Sequence, residues 1–275
     1  MTGERIYRTA GSKVKKKENC AVIVPVHKKW PDEWEKRSFR HLLEVFAQRP
    51  VFLVHPQGVS MEKYLEFPGA QDCRAVAFPS SNYISRQTYN DLLLTPAFYS
   101  AFMGYEYILV HHPDSWCFKD DLDAFTALGA DYIGCAGAGS GGRMAGGLSL
   151  RKTYSCLCAC RASSTMDGIS LLLKARYLSM RDLLTIAKRN MAIPVGAERP
   201  YHAEDHFYTF GAPILQDGFR PASPEQALRF AFDDGPEILL QKSGGALPMG
   251  CHAFWKDGNW DFWKKYIEPD GLSAE

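Results

Sequence analysis

Apolar residues along this chain gather in short β-branched clusters separated by longer stretches of mixed character. "AVIVPV" (Ala21–Val26), "VFLVHP" (Val51–Pro56), "CRAVAFP" (Cys73–Pro79), "YILVHH" (Tyr107–His112) and "DYIGCA" (Asp131–Ala136) each have the length and composition of a strand, and the first and fourth read as buried. Helical patterning fills the gaps. A helix is expected from Pro31 to Gln48, with the proline in its first turn. Another is expected over Ser85–Phe102, interrupted at Pro96. A short one in "DDLDAFTALG" ends at Gly129. Strand and helix in alternation predict an α/β fold with a mainly parallel central sheet flanked by helices.

The second half is less regular. "AGAGSGGRMAGG" (Ala136–Gly147) reads as a glycine-rich loop, and "LSLRKTYSCLCACR" as a short strand running into a helix. Later helices are expected over Met180–Asn190 and Glu204–Phe210, and less clearly over Ala227–Phe232. Nothing resembles a repeat or a linker. The expected organisation is a basic tail over 1–18, one domain over 19–268 and a short tail over 269–275. Within the domain two functional halves are expected, about 19–135 and about 136–268.

Composition narrows the function classes. The 275 residues are 46% hydrophobic and 23% charged, enough for a sizeable core. No apolar run reaches membrane-spanning length, and the N-terminus lacks a hydrophobic signal core, so a cytoplasmic protein is expected. The net charge of +1 is uneven. Six basic residues (Arg5, Arg8, Lys13, Lys15, Lys16, Lys17) face only Glu4 and Glu18 in the tail, which leaves the body mildly acidic. Nucleic acid is therefore not an expected partner. The tail is a candidate for peripheral contact with a membrane surface, against the plainer reading of a solvated segment. Eight cysteines are read as reduced thiols. "CLCAC" offers no metal knuckle, because positions i, i+2 and i+4 of a helix cannot all face one ion.

Parallel sheets bind ligands beyond the carboxyl ends of their strands. That directs attention to the residues after Val110. Asp114, just past a rigid strand, suits a divalent cation shared with phosphate; the alternative is a turn cap with Ser115. In "YHAEDHF" (Tyr201–Phe207), Glu204 and Asp205 form an acidic pair; the alternative is simple charge complementarity at a helix start. Adjacent helical residues are about 100° apart, so the two acids would divide their roles. His252 in "GCHAFW" is a candidate ligand or a core histidine. The glycines before "LSLRK" let backbone amides approach a sugar or phosphate, but match no nucleotide fingerprint. Arg151 and Lys152 read as a solvated basic pair opening a helix. His111 and His112 alternate across a strand, which disfavours a hydrolase holding one metal with both.

Taken together and in order, "YNDLLLTPAFYSAFMGYEYILVHHPDSWCF", "DYIGCA", "GGLSLRK", "AEDHFY", "PEQALRFAF" and "GCHAFW" resemble a bacterial and viral group of GT-A-like glycosyltransferases, long catalogued as a domain of unknown function. The resemblance covers about residues 20–267. It implies a GT-A-like fold and transfer of a sugar from a nucleotide-sugar to a glycan or lipid-linked acceptor, assisted by Mn²⁺ or Mg²⁺. It further implies that Asp114 and His252 hold the metal, with His112 standing where a full DxD turn would have an acid. Asp205, with Glu204, would supply the catalytic base. Val24 and Pro25 would lie by the nucleobase, and Gly146, Gly147 and Ser149 by the sugars. Ala145 replaces an asparagine common before the Gly-Gly pair. The competing expectation is a GT-A-like module that binds a glycan or nucleotide without turnover.

Overall fold

A computed structural model of the chain describes residues 19–165 and 203–268. The expectations for both tails and for a helix over Met180–Asn190 lie outside the described residues. Four parallel strands open the fold: β1 (Cys20–Pro25), β2 (Val51–Pro56), β3 (Arg74–Phe78) and β4 (Tyr107–His111). The short β5 (Trp116–Cys117) comes next, then β6 (Tyr132–Cys135) and β7 (Ala145–Lys152). The main sheet has six strands in the order β3-β2-β1-β4-β7-β6, and β7 alone runs against the rest. The fold is thus the mainly parallel α/β sheet, flanked by helices, that the alternation predicts.

The first helix, α1 (Glu33–Val45), buries Phe39, Leu42 and Leu43. It begins later than the proline suggests, because Asp32 forms a capping box with Glu35 and leaves Pro31 outside the helix. The helix α2 (Glu62–Leu65) is a single turn. The expected break at Pro96 separates α3 (Arg86–Leu93) from α4 (Pro96–Ser100), where Thr95 caps the new N-terminus. Helix α5 (Leu122–Thr126) precedes Gly129, whose φ of 68° suits a chain reversal. Helix α6 (Thr153–Thr165) buries Cys156 and Cys160 and carries Cys158 partly exposed, as its helical spacing requires. None of the eight cysteines, all among the described residues, forms a disulfide. No helix among the described residues is long and apolar enough to cross a membrane.

Two features depart from the sequence reading. Ala145, Gly146 and Gly147 belong to β7 and not to the loop before it. A register irregularity against β6, between Ile133 and Cys135, accommodates them. A second, three-stranded sheet is also present, in the order β5-β9-β8, from β8 (Ala231–Phe232) and β9 (Gly250–Cys251). Strands of two residues carry too little periodicity to be recognised. This small sheet has its own apolar cluster, including Trp116, Phe232, Leu239, Phe254 and Trp263.

Candidate active site

The small sheet's register explains how distant residues meet. Strands β5 and β9 are antiparallel with Trp116 opposite Cys251, so the chain just before Trp116 runs beside the chain just after Cys251. That sets Asp114 against His252. Strand β8 lies parallel to β9 with Phe232 opposite Cys251, so the next residues, Asp233 and His252, are neighbours too. The backbone stitches the corner: His252 N–H donates to the Phe232 carbonyl at 2.9 Å and Phe254 N–H to the Asp114 carbonyl at 3.2 Å. His112 arrives from the end of β4, its N–H donating to the Gly147 carbonyl at 2.8 Å.

The result is a cluster. One donor atom each from His112, Asp114 and His252 lies within 4.8 Å of the others. His252 is held between two acids, with Nδ1 2.7 Å from Asp233 Oδ1 and Nε2 3.3 Å from Asp114 Oδ1. Burial pushes its pKa down, but Asp114 and Asp233 outweigh burial and raise it to about 9. Burial also opposes ionisation of Asp114; His252, His112 and Lys256 prevail and hold it well below the usual carboxylate range. Lys256 Nζ lies 2.6 Å from Asp114 Oδ2. Burial lowers His112 to about 3, which keeps its ring neutral at physiological pH. Its Nε2 is buried and has no hydrogen-bond partner among the described residues. A neutral His112 with an orphaned ring nitrogen, beside a carboxylate and a second histidine that would have to release its proton to ligate, is a donor set that fits a divalent cation. Asp233 then plays the part of the carboxylate that orients a ligating histidine.

His111 sits on the other side of the strand, packed edge-on to Phe46. The alternation anticipated this, and His111 is absent from the cluster.

The acidic pair lies at the start of a short helix, Glu204–His206, that continues into a wider π turn over Phe207–Gly211. Thr209 stabilises this turn, its hydroxyl donating to the Asp205 carbonyl at 2.7 Å and accepting from Met144 N–H at 3.3 Å. The two acids do divide. Glu204 faces inward, its Oε2 3.0 Å from Arg151 Nη2 in an ion pair whose geometry falls short of a hydrogen bond. Burial raises the Glu204 pKa, opposed by Arg151. Asp205 turns toward the glycine-rich segment, where Arg143 Nη1 donates to its Oδ2 at 3.0 Å.

Arg151 is the largest departure from expectation. Expected in solvent, its side chain is fully buried. Its Nε donates to Ser149 Oγ and its Nη1 to Tyr99 Oη, both at 3.0 Å. The Tyr132 and Tyr208 rings lie 5.7 Å and 5.4 Å from its guanidinium carbon. Lys152 remains partly exposed. β7 places Arg151 inside; the positive charge is tolerated there because every direction offers an acceptor or a ring face.

Gly146 and Gly147 tie the two clusters together. A Cβ on Gly146 would fall 2.0 Å from Glu204 Oε1, and one on Gly147 would fall 2.1 Å from His252 Nε2. Glu204 and His252 thus abut one dipeptide, and only glycine leaves room for them. Ser149 donates its hydroxyl to the Gly146 carbonyl at 2.9 Å, bracing this bulge. Val24 is buried and borders a small depression with Glu35, Ser38, Tyr64, His111 and Pro113, the last lying between His112 and Asp114 in the chain. Pro25 closes β1 opposite Val54.

A family model for proteins of unknown function (DUF5672) matches residues 72–252. The chain belongs to this family. The matched span holds His112, Asp114, Gly146, Gly147, Ser149, Glu204, Asp205 and His252, and begins after Val24 and Pro25. No curated protein matches the sequence. In fold the chain is similar to solved glycosyltransferases. GlyE of Streptococcus pneumoniae TIGR4 is 12% identical with a TM-score of 0.45, over 88% of this chain and 56% of that one, so the chain spans little more than half of GlyE. An active-site mutant of LgtC is 11% identical with a TM-score of 0.48, over 84% of this chain and 86% of that one. Mouse xyloside xylosyltransferase 1 is 10% identical with a TM-score of 0.45, over 84% and 96%. Likenesses at these values carry no functional argument.

Asp233, Lys256, Arg143 and Arg151 escape the sequence reading as site residues. Asp233 does carry a signal, an acid directly after the apolar "FAF", much as Asp114 follows the apolar "YILV" a few residues on. The other three are ordinary basic residues whose partners are 62, 53 and 142 positions away: Arg143 with Asp205, Arg151 with Glu204, and Lys256 with Asp114, respectively.

Proposed function

We propose that the protein is a glycosyltransferase of GT-A type that moves a sugar from a nucleotide-sugar to a hydroxyl of a glycan or lipid-linked acceptor. The observation that carries this reading is the meeting of two chemistries on Gly146–Gly147: His252 of the two-histidine, one-carboxylate cation cluster beside Gly147, and Glu204 of the acidic pair beside Gly146. The donor set favours Mn²⁺ over Mg²⁺, because imidazole is a poorer partner for the harder ion. His112, Asp114 and His252 would hold it. When bound, the cation would offset charge growing on the departing nucleotide diphosphate.

Asp205 is the base. It accepts the proton of the acceptor hydroxyl as that oxygen bonds to the anomeric carbon and the bond to the diphosphate breaks. A base opposite the leaving group gives inversion. Glu204 is fixed by Arg151 and orients rather than transfers. The donor lies against the half formed by residues 19–135, with Val24 and Pro25 toward its base, and the acceptor against residues 136–268. Gly146, Gly147 and Ser149 border the sugars through backbone atoms. The activity is assigned to the cytoplasm, with the basic tail available to a membrane that carries the acceptor.

One observation favours a second reading, binding without turnover: both acids of the pair are already matched by arginines. One experiment separates the two. Nucleotide-sugars are screened with Mn²⁺ by thermal shift, since a ligand of the folded state raises its stability. Hits are then assayed for transfer with wild type and Asp205→Asn. The variant is expected to lose transfer by about 10²–10⁴-fold with donor binding nearly intact. Unchanged turnover in the variant overturns the assignment of Asp205, and binding without transfer or hydrolysis in wild type establishes the second reading.

A further inference from the structure

The turn after His252 is unusual among the described residues. Ala253 and Asp257, at φ 53° and 54°, are the non-glycine residues with left-handed backbone there, and Lys256 lies between them. Residues with a Cβ hold that conformation only where surrounding contacts impose it. Here Phe254 N–H donates to the Asp114 carbonyl, Lys256 N–H to the Ala253 carbonyl at 3.0 Å, and Asn259 Nδ2 to the same carbonyl at 3.2 Å. The root of Lys256 is therefore fixed relative to Asp114. Its head is not: the side chain is 53% exposed, against 10% for that of Asp114.

Both oxygens of Asp114 are engaged, Oδ1 with His252 and Oδ2 with the Lys256 ammonium. A cation shared by His112, Asp114 and His252 must sit within about 2.0–2.6 Å of a carboxylate oxygen. It would then lie beside the ammonium on one nearly buried carboxylate, where solvent screens like charges poorly. The long flexible stem and the open side give the ammonium a way out that the partly buried imidazoles lack.

We infer that Lys256 and a divalent cation exclude one another on Asp114. The ammonium is the resident counter-ion of the cation-free protein and moves into solvent as a cation enters. Lys256 thereby sets how tightly the free protein retains its metal. The inference rests on reading the His112–Asp114–His252 cluster as a cation site.

The test uses the full chain and Mn²⁺ alone, with free Mn²⁺ followed by its electron paramagnetic resonance signal. Lys256→Met is expected to bind Mn²⁺ roughly tenfold or more tightly than wild type, an effect of about one unit in log affinity. Lys256→Arg, which keeps the charge, stays as weak as wild type. Asp114→Asn loses the site. If Lys256→Met and wild type bind alike while Asp114→Asn is silent, mutual exclusion is wrong and the cation site stands. If Asp114→Asn binds as wild type does, the cation site itself is wrong.

Discussion

The two clusters flanking Gly146–Gly147 each pair carboxylate with base, but by opposite means. At Asp114 the counter-charge is a half-exposed lysine on a turn, 2.6 Å away and free to leave. At Glu204 it is Arg151, fully buried and bonded to Tyr99 and Ser149. An exchangeable partner suits a site that must receive a ligand. A permanent one suits a group that must stay where it is. The contrast explains why a lysine serves one and an arginine the other: an ammonium is strongly hydrated and mobile, while a guanidinium offers a rigid fork to several acceptors at once.

The contrast can be broken most forcefully at Arg151. Arg151→Met leaves Glu204 buried without its cation, and a loss of about 3–5 kcal/mol in unfolding free energy is expected. Denaturant melts check this. A second change, Glu204→Leu, should recover much of the loss, and failure to do so would show that the tyrosine and serine contacts, not the ion pair, dominate. At the other cluster, Asp233→Ala removes the acceptor that orients His252. Mn²⁺ affinity should fall about 10–100-fold with little change in melting temperature, measured by titration. A large stability loss with unaltered affinity would make Asp233 a fold element. The smallest effect is expected from Tyr99→Phe, which deprives Arg151 Nη1 of one acceptor and should cost about 1–3 kcal/mol. It should leave Mn²⁺ binding untouched, since Tyr99 belongs to the permanent cluster alone.

Much of the site was nonetheless legible before folding. Asp114, the Glu204–Asp205 pair and His252 stand out because each polar group interrupts an apolar or aromatic run, which is where strand ends and helix starts fall. The opposite facing of His111 and His112 is a consequence of the two-residue period of a strand. Less legible was the identity of their neighbours. Arg151 reads as solvated because its sequence neighbours are Leu150 and Lys152; nothing local announces that β7 turns it toward Tyr99, Tyr132 and Tyr208. The Gly146–Gly147 pair reads as loop because glycine is a poor strand former, whereas in β7 its missing side chains make way for Glu204 and His252.

The amino-acid order alone determined the main sheet. Apolar clusters of five or six residues form strands, buried in β1 and β4 and mostly exposed in the edge strand β3, and alternation with helices forces them mostly parallel. The meeting of His112, Asp114, His252 and Asp233 was decided by the pairing of three two-residue strands, in which a shift of one position would separate every partner. So short a strand has no pattern of its own. Its register comes from the apolar cluster around Trp116, Phe232, Phe254 and Trp263 that closes over it, and that cluster exists only once the chain has folded.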